Sequence, residues 1–160
     1  MMPLRRSPGL GILEGPMPPE ITCRMLVVGD EEPEHVAQLL NGCGVEARAA
    51  RDPDHALSDL LHGAPFGPQA PPNAIVVNVR HDRELLVRAF KQNPATSRLP
   101  VVVLSSDTSD AHRLSMYEAG ASLFLTKPAE PERLERALRR LVDFWCGLVL
   151  PPPSIVAREA

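Results

Sequence analysis

The side chains best equipped for chemistry sit in four short stretches: Gly29-Asp30-Glu31-Glu32, Asn78, Ser105-Ser106 and Lys127-Pro128. Each directly follows a run of apolar residues, so each is expected at the end of a strand. Acids, a hydroxyl and a lysine gathered on one rim suit a small oxyanion held by a divalent metal. Hard carboxylate oxygens bind Mg²⁺, and an ammonium pairs with phosphate oxygens. Asn78 brings only a neutral amide to that rim.

Each residue also has a plainer reading. Asp30, Glu31 and Glu32 could mark only a helix start, where acids are favoured. Ser105 and Ser106 could be loop residues that cap the next helix together with Asp107 and Asp110, and for Ser106 this is the preferred reading. Asn78 could be a buried amide bonded to the backbone around it. Phe124 fits an ordinary strand position, and His35, His55, His62, His81 and His112 are scattered with no ligand spacing. Lys127 stands out, being one of only two lysines beside fifteen arginines. The two residue types are not interchangeable, so a lysine at a strand end is a selective choice.

The elements that must position these residues are legible from periodicity. Arg24 to Gly29 reads as an apolar strand, and Pro33 suits the first turn of a helix whose face is Val36, Leu39, Leu40 and Cys43. Val45 to Ala50 is a weak strand, followed by Asp52-Pro53 as a helix cap and by Ala56, Leu57, Leu60 and Leu61. Ala74 to Asn78 is a β-branched run of the doubly buried kind, and Leu85, Leu86, Ala89 and Phe90 then recur at helical spacing. Pro100 to Ser105 is the strongest strand, a helix spans about Asp110 to Ala119 and stops at Gly120, and Ser122 to Thr126 is the last strand. From Glu132, the stripe of Leu134, Leu138, Leu141 and Trp145 makes an amphipathic final helix. Five strands alternating with five helices predict an α/β, doubly wound fold with a central parallel sheet, whose ligands sit beyond the carboxyl ends of the strands.

Pro100-Val-Val-Val-Leu-Ser-Ser106 followed by Tyr117-Glu-Ala-Gly-Ala-Ser-Leu-Phe-Leu-Thr-Lys-Pro128 resembles the second half of a CheY-like response-regulator receiver domain. The resemblance runs from about Arg24 to Val142. Asn93-Pro94-Ala95 and Asp143-Phe144-Trp145 are similar to stand-alone regulators that serve phytochrome-type histidine kinases. It implies a (βα)5 sandwich with strand order 2-1-3-4-5. It also implies roles: Asp30 in the acidic Mg²⁺-holding pair with Gly29 and Glu31 beside it, Ser105 sensing phosphate, Lys127 bonding the phosphoryl group, and Phe124 as the aromatic switch. Asn78 falls on the phosphoacceptor, Gly29 on the first acid, and the segment Val79 to Asp82 is shorter than the family form and lacks its proline.

These departures point to a pseudo-receiver: no catalytic residue, no resident cofactor, Mg²⁺ bound through Asp30 weakly or not at all, and Lys127 paired with Asp30. Rival readings are an active receiver phosphorylated on Asp82 or an acid near Asp30, and a flavodoxin-like ligand-binding enzyme. The latter meets three carboxylates where a phosphate would sit.

Composition limits the partners. The 160 residues are 44% hydrophobic, enough for one core, and 17 basic against 20 acidic residues leave a net charge of -3 with no field for nucleic acid. No run approaches membrane-spanning length. Residues 1–20 read as a disordered Pro/Gly-rich leader, 21–146 as the receiver and 147–160 as a tail too short for a helix-turn-helix. Cys23, Cys43 and Cys146 read as small buried thiols of a cytoplasmic protein. Phe144, Trp145 and Leu148 crowd apolar surface onto the last helix, which suggests a protein interface and a homodimer. A sensor histidine kinase or another signalling protein is the expected partner.

Overall fold

The computed structural model describes residues 23–29, 32–50, 52–67, 71–79 and 83–147. Ten elements alternate: β1 (Arg24–Gly29), α1 (Pro33–Asn41), β2 (Glu46–Ala50), α2 (Pro53–Leu61), β3 (Ala74–Val79), α3 (Glu84–Gln92), β4 (Val101–Ser105), α4 (Asp110–Ala119), β5 (Leu123–Thr126) and α5 (Pro131–Gly147). The strands form one five-stranded sheet in the order β2-β1-β3-β4-β5. Every pairing is parallel. The expected doubly wound (βα)5 architecture and strand order are therefore present.

Strand alternation sorts the apolar residues onto two faces. Met25, Val27, Val76, Val102 and Leu104 pack with Val36, Leu40, Leu134 and Leu138 beneath α1 and α5. Leu26, Val28, Ile75, Val77, Val101 and Val103 pack with Ala56, Val87, Phe90 and Met116 beneath α2, α3 and α4. Because both faces are covered, β3 and β4 are apolar up to the polar Asn78 and Ser105 near their carboxyl ends, which is why they read as valine-rich runs.

The helix starts follow local chemistry. Pro33 opens α1, the Asp52 side chain accepts from the Asp54 N–H at the start of α2, and Gly120 closes α4 at φ 117. At α4 the expected cap is corrected. Ser109 caps the helix by accepting from the His112 N–H, while Ser106 is an exposed loop residue. Asp107 instead accepts from the Ser109 N–H and so shapes the turn ahead of the cap.

The cysteine reading is also corrected. Cys23 and Cys146 form a disulfide with Cα atoms 6.2 Å apart, tying the entry to β1 to the end of α5, and Cys43 alone is a free thiol. The cause is topological. β1 is an interior strand between β2 and β3, and α5 packs on the same face of the sheet as Met25 and Val27 of β1. Two residues 123 apart in sequence therefore meet. The leader 1–20 and Leu148 onward lie outside the described residues.

Candidate functional site at the carboxyl rim of the sheet

The strand order reverses between β1 and β3, and at this switch point Gly29 and Asn78 end their strands opposite each other. Asn78 is fully buried. Register places it beside Leu104 of β4, which in turn pairs with Leu125 of β5. Asn78 thus shares the α1/α5 face, and Lys127, two residues past Leu125, continues the same parity. Ser105 pairs with Thr126 and belongs to the opposite face, that of α4.

Gly29 has a steric cause. A Cβ built there would run into the backbone carbonyl of Asn78 across the β1–β3 pairing. A side chain at this position requires the two central strands to separate. No carboxylate fits at residue 29, and the acids can begin only at Asp30. Asp30, Glu31 and the rival acceptor Asp82 lie outside the described residues, as does the expected Asp30 partner of Lys127.

On the α4 face the rim is tightly built. Ser105 is fully buried, and its Oγ accepts from the Asp107 N–H at 3.1 Å. The same Oγ lies 3.0 Å from Nε2 of His112, a buried residue of α4. The ring of His112 meets the ring of Phe124 edge-on, with centroids 5.4 Å apart. Phe124 is half-buried on β5, and its N–H donates to the Tyr117 hydroxyl at 3.1 Å. The Lys127 N–H donates to the Ser105 carbonyl at 2.8 Å, which fixes the lysine backbone beside the serine. Hydrogen bonds from the Ser109 N–H and hydroxyl hold the Asp107 carboxyl below its usual range.

The structure therefore brings Gly29, Asn78, Ser105 and Lys127 onto one rim, with Phe124 one layer below. His112 was not singled out by sequence spacing. The available signal was its place at i, i+4 and i+7 with Met116 and Ala119, the buried face of α4. Gly29 and Asn78 contribute no charge to the rim, and among the described residues no group of three acidic, histidine or cysteine residues is placed to hold an ion.

The expected interface residues divide. Phe144 is 49% exposed, whereas Trp145 is half-buried and leans on the core beneath α5. Their rings are tilted together, with centroids 6.4 Å apart. No helix among the described residues is long and apolar enough to cross a membrane.

No family model matches the chain. It is 28% identical over 108 residues to the response regulator Rcp1 of Synechocystis, covering 65% of this chain and 73% of Rcp1. It also superposes on the crystal structure of the phosphorylated cyanobacterial phytochrome response regulator RcpA with a TM-score of 0.71 at 20% identity, covering 82% of this chain and 99% of RcpA. The chain has the fold of a CheY-like receiver domain. The response regulator RPA3017, which acts in red light signalling of R. palustris, matches this chain with a TM-score of 0.67 at 23% identity, covering 82% of this chain and 99% of RPA3017. The chain thus shares its architecture with these response regulators.

Proposed function

We propose that this receiver is a pseudo-receiver, which keeps the fold and a partner-binding face but does not take a phosphoryl group. The observation that carries this reading is Asn78, a fully buried amide at the end of the central strand, where the family's phosphoacceptor stands. A mixed anhydride forms only on a carboxylate, and an amide oxygen carries no charge to attack phosphorus. Gly29 deepens the loss, because two of the three carboxylates of such a rim are absent from β1 and β3. Mg²⁺ relies on few strong oxygen ligands and should bind Asp30 and Glu31 weakly.

Within this reading, Ser105 and Lys127 are remnants of phosphate sensing, and Phe124 is the aromatic of the α4–β5 face. Output passes through protein contacts, with a sensor histidine kinase or another signalling protein as partner and no enzymatic turnover. A homodimer through Phe144, Trp145 and Leu148 fits the exposed Phe144. The receiver then works in the cytoplasm, where the Cys23–Cys146 bond is under reducing pressure.

Backbone amide NMR spectra recorded with and without Mg²⁺ and acetyl phosphate test this reading. The spectra should coincide apart from weak shifts near Asp30. Saturable changes spreading from the rim to β5 would contradict it.

A further inference from the structure

The contacts of His112 give it a role that no catalytic motif assigns. It is only 5% exposed, and its Nδ1 is buried with no hydrogen-bond partner among the described residues. Its Nε2 faces Ser105 Oγ at 3.0 Å, and its ring edge-packs on Phe124 at an interplanar angle of 77°. The Ser105 Oγ already accepts from the Asp107 N–H.

These contacts decide where the ring proton sits. A neutral imidazole has one N–H and one bare nitrogen. With the proton on Nδ1, a buried donor would have no acceptor, the rarer kind of orphan, and the Ser105 hydrogen would be spent on Nε2. With the proton on Nε2, the ring donates to Ser105 Oγ and Nδ1 is merely an unused acceptor. Oγ then accepts twice, and its own hydrogen points away from both donors.

We propose that His112 is a positioning residue which, as the Nε2–H tautomer, holds the Ser105 hydroxyl as a hydrogen-bond donor turned away from α4 and links its position to the Phe124 ring. A small oxyanion reaching the rim would accept that hydrogen. Any shift of the hydroxyl must move the imidazole, and the imidazole must move against Phe124. The link rests on Ser105, His112 and Phe124 and holds whatever the chemistry at Asn78.

Two NMR measurements on the full chain test it. Long-range ¹H–¹⁵N spectra of the neutral His112 ring should show the proton on Nε2; a proton on Nδ1 would overturn the proposal. Ser105→Ala should shift the Phe124 ring signals in the wild-type background, and this effect should vanish in His112→Phe, which keeps an aromatic ring but has no donor. If His112 only fills space, the phenylalanine preserves the effect and the proposal fails; it fails equally if Ser105→Ala leaves Phe124 unmoved. His112→Gln, which keeps a donor without the ring, should also lose the effect and replaces His112→Phe should that variant not fold. A proton on Nδ1 of the wild-type ring overturns the proposal without any variant.

Discussion

Gly29→Ala is a small substitution with a large expected cost. The added methyl group meets the backbone carbonyl of Asn78, and Asn78 is held between β1 and β4 in the middle of the sheet. A flexible side chain could swing aside, but a central strand cannot. The cost should lie at the upper end of overpacking, about 3 kcal/mol. For a domain of this size each kcal/mol lowers Tm by roughly 4 °C, so a fall of about 12 °C is expected. Thermal unfolding followed by circular dichroism measures it, with Gly42→Ala as control. Gly42 sits at φ -66, and a Cβ there comes no closer than 3.3 Å to another atom, so that variant should stay within about 0.5 kcal/mol. A Gly29→Ala protein melting within about 2 °C of wild type would refute the claim that the β1–β3 approach excludes a side chain.

Phe90 of α3 is fully buried in the core it shares with Met116 of α4, and Phe90→Ala should cost about 3–5 kcal/mol in urea unfolding. Thiol titration of the denatured, unreduced chain should find one free cysteine, Cys43, and three after reduction. Closing a loop of this separation predicts that reduction lowers stability by about 2–5 kcal/mol. The hydrogen bond that His55 Nδ1 donates to the Asp52 carboxylate raises the His55 pKa, and the same bond lowers that of Asp52, so Asp52→Asn should bring the His55 titration measured by NMR down toward its ordinary value. The His55 contribution to stability is complete below its unfolded pKa and lost as pH rises through the raised one. That of Asp52 is present above its unfolded pKa and lost as pH falls through the lowered one, so the pair helps most between them. Both groups are exposed, and the effect on unfolding should be slight.

Much of the fold was legible because its signals are local. The unbroken runs Ile75 to Val77 and Val101 to Leu104 need two covered faces, and Pro33, Asp52 and Gly120 mark helix ends by their own backbone and capping chemistry. The rim was legible because each residue follows a strand. What escaped depends on pairings that spacing does not encode. Ser106 and Ser109 offer the same hydroxyl, and only the first turn of α4 selects Ser109. Cys23 and Cys146 meet through the sheet order. His112 looked like one histidine among five until α4 laid it between Ser105 and Phe124. The need for glycine at 29 appears only once β1 and β3 are in register.

An uncharged amide at Asn78 should keep this chain from becoming phosphorylated. Intact-mass spectrometry after incubation with Mg²⁺ and acetyl phosphate measures this directly, with the added group mapped by peptide analysis. A wild-type chain of unchanged mass is expected. A stable phosphoryl group on Asp30, Glu31 or Asp82 of the wild-type protein would contradict it.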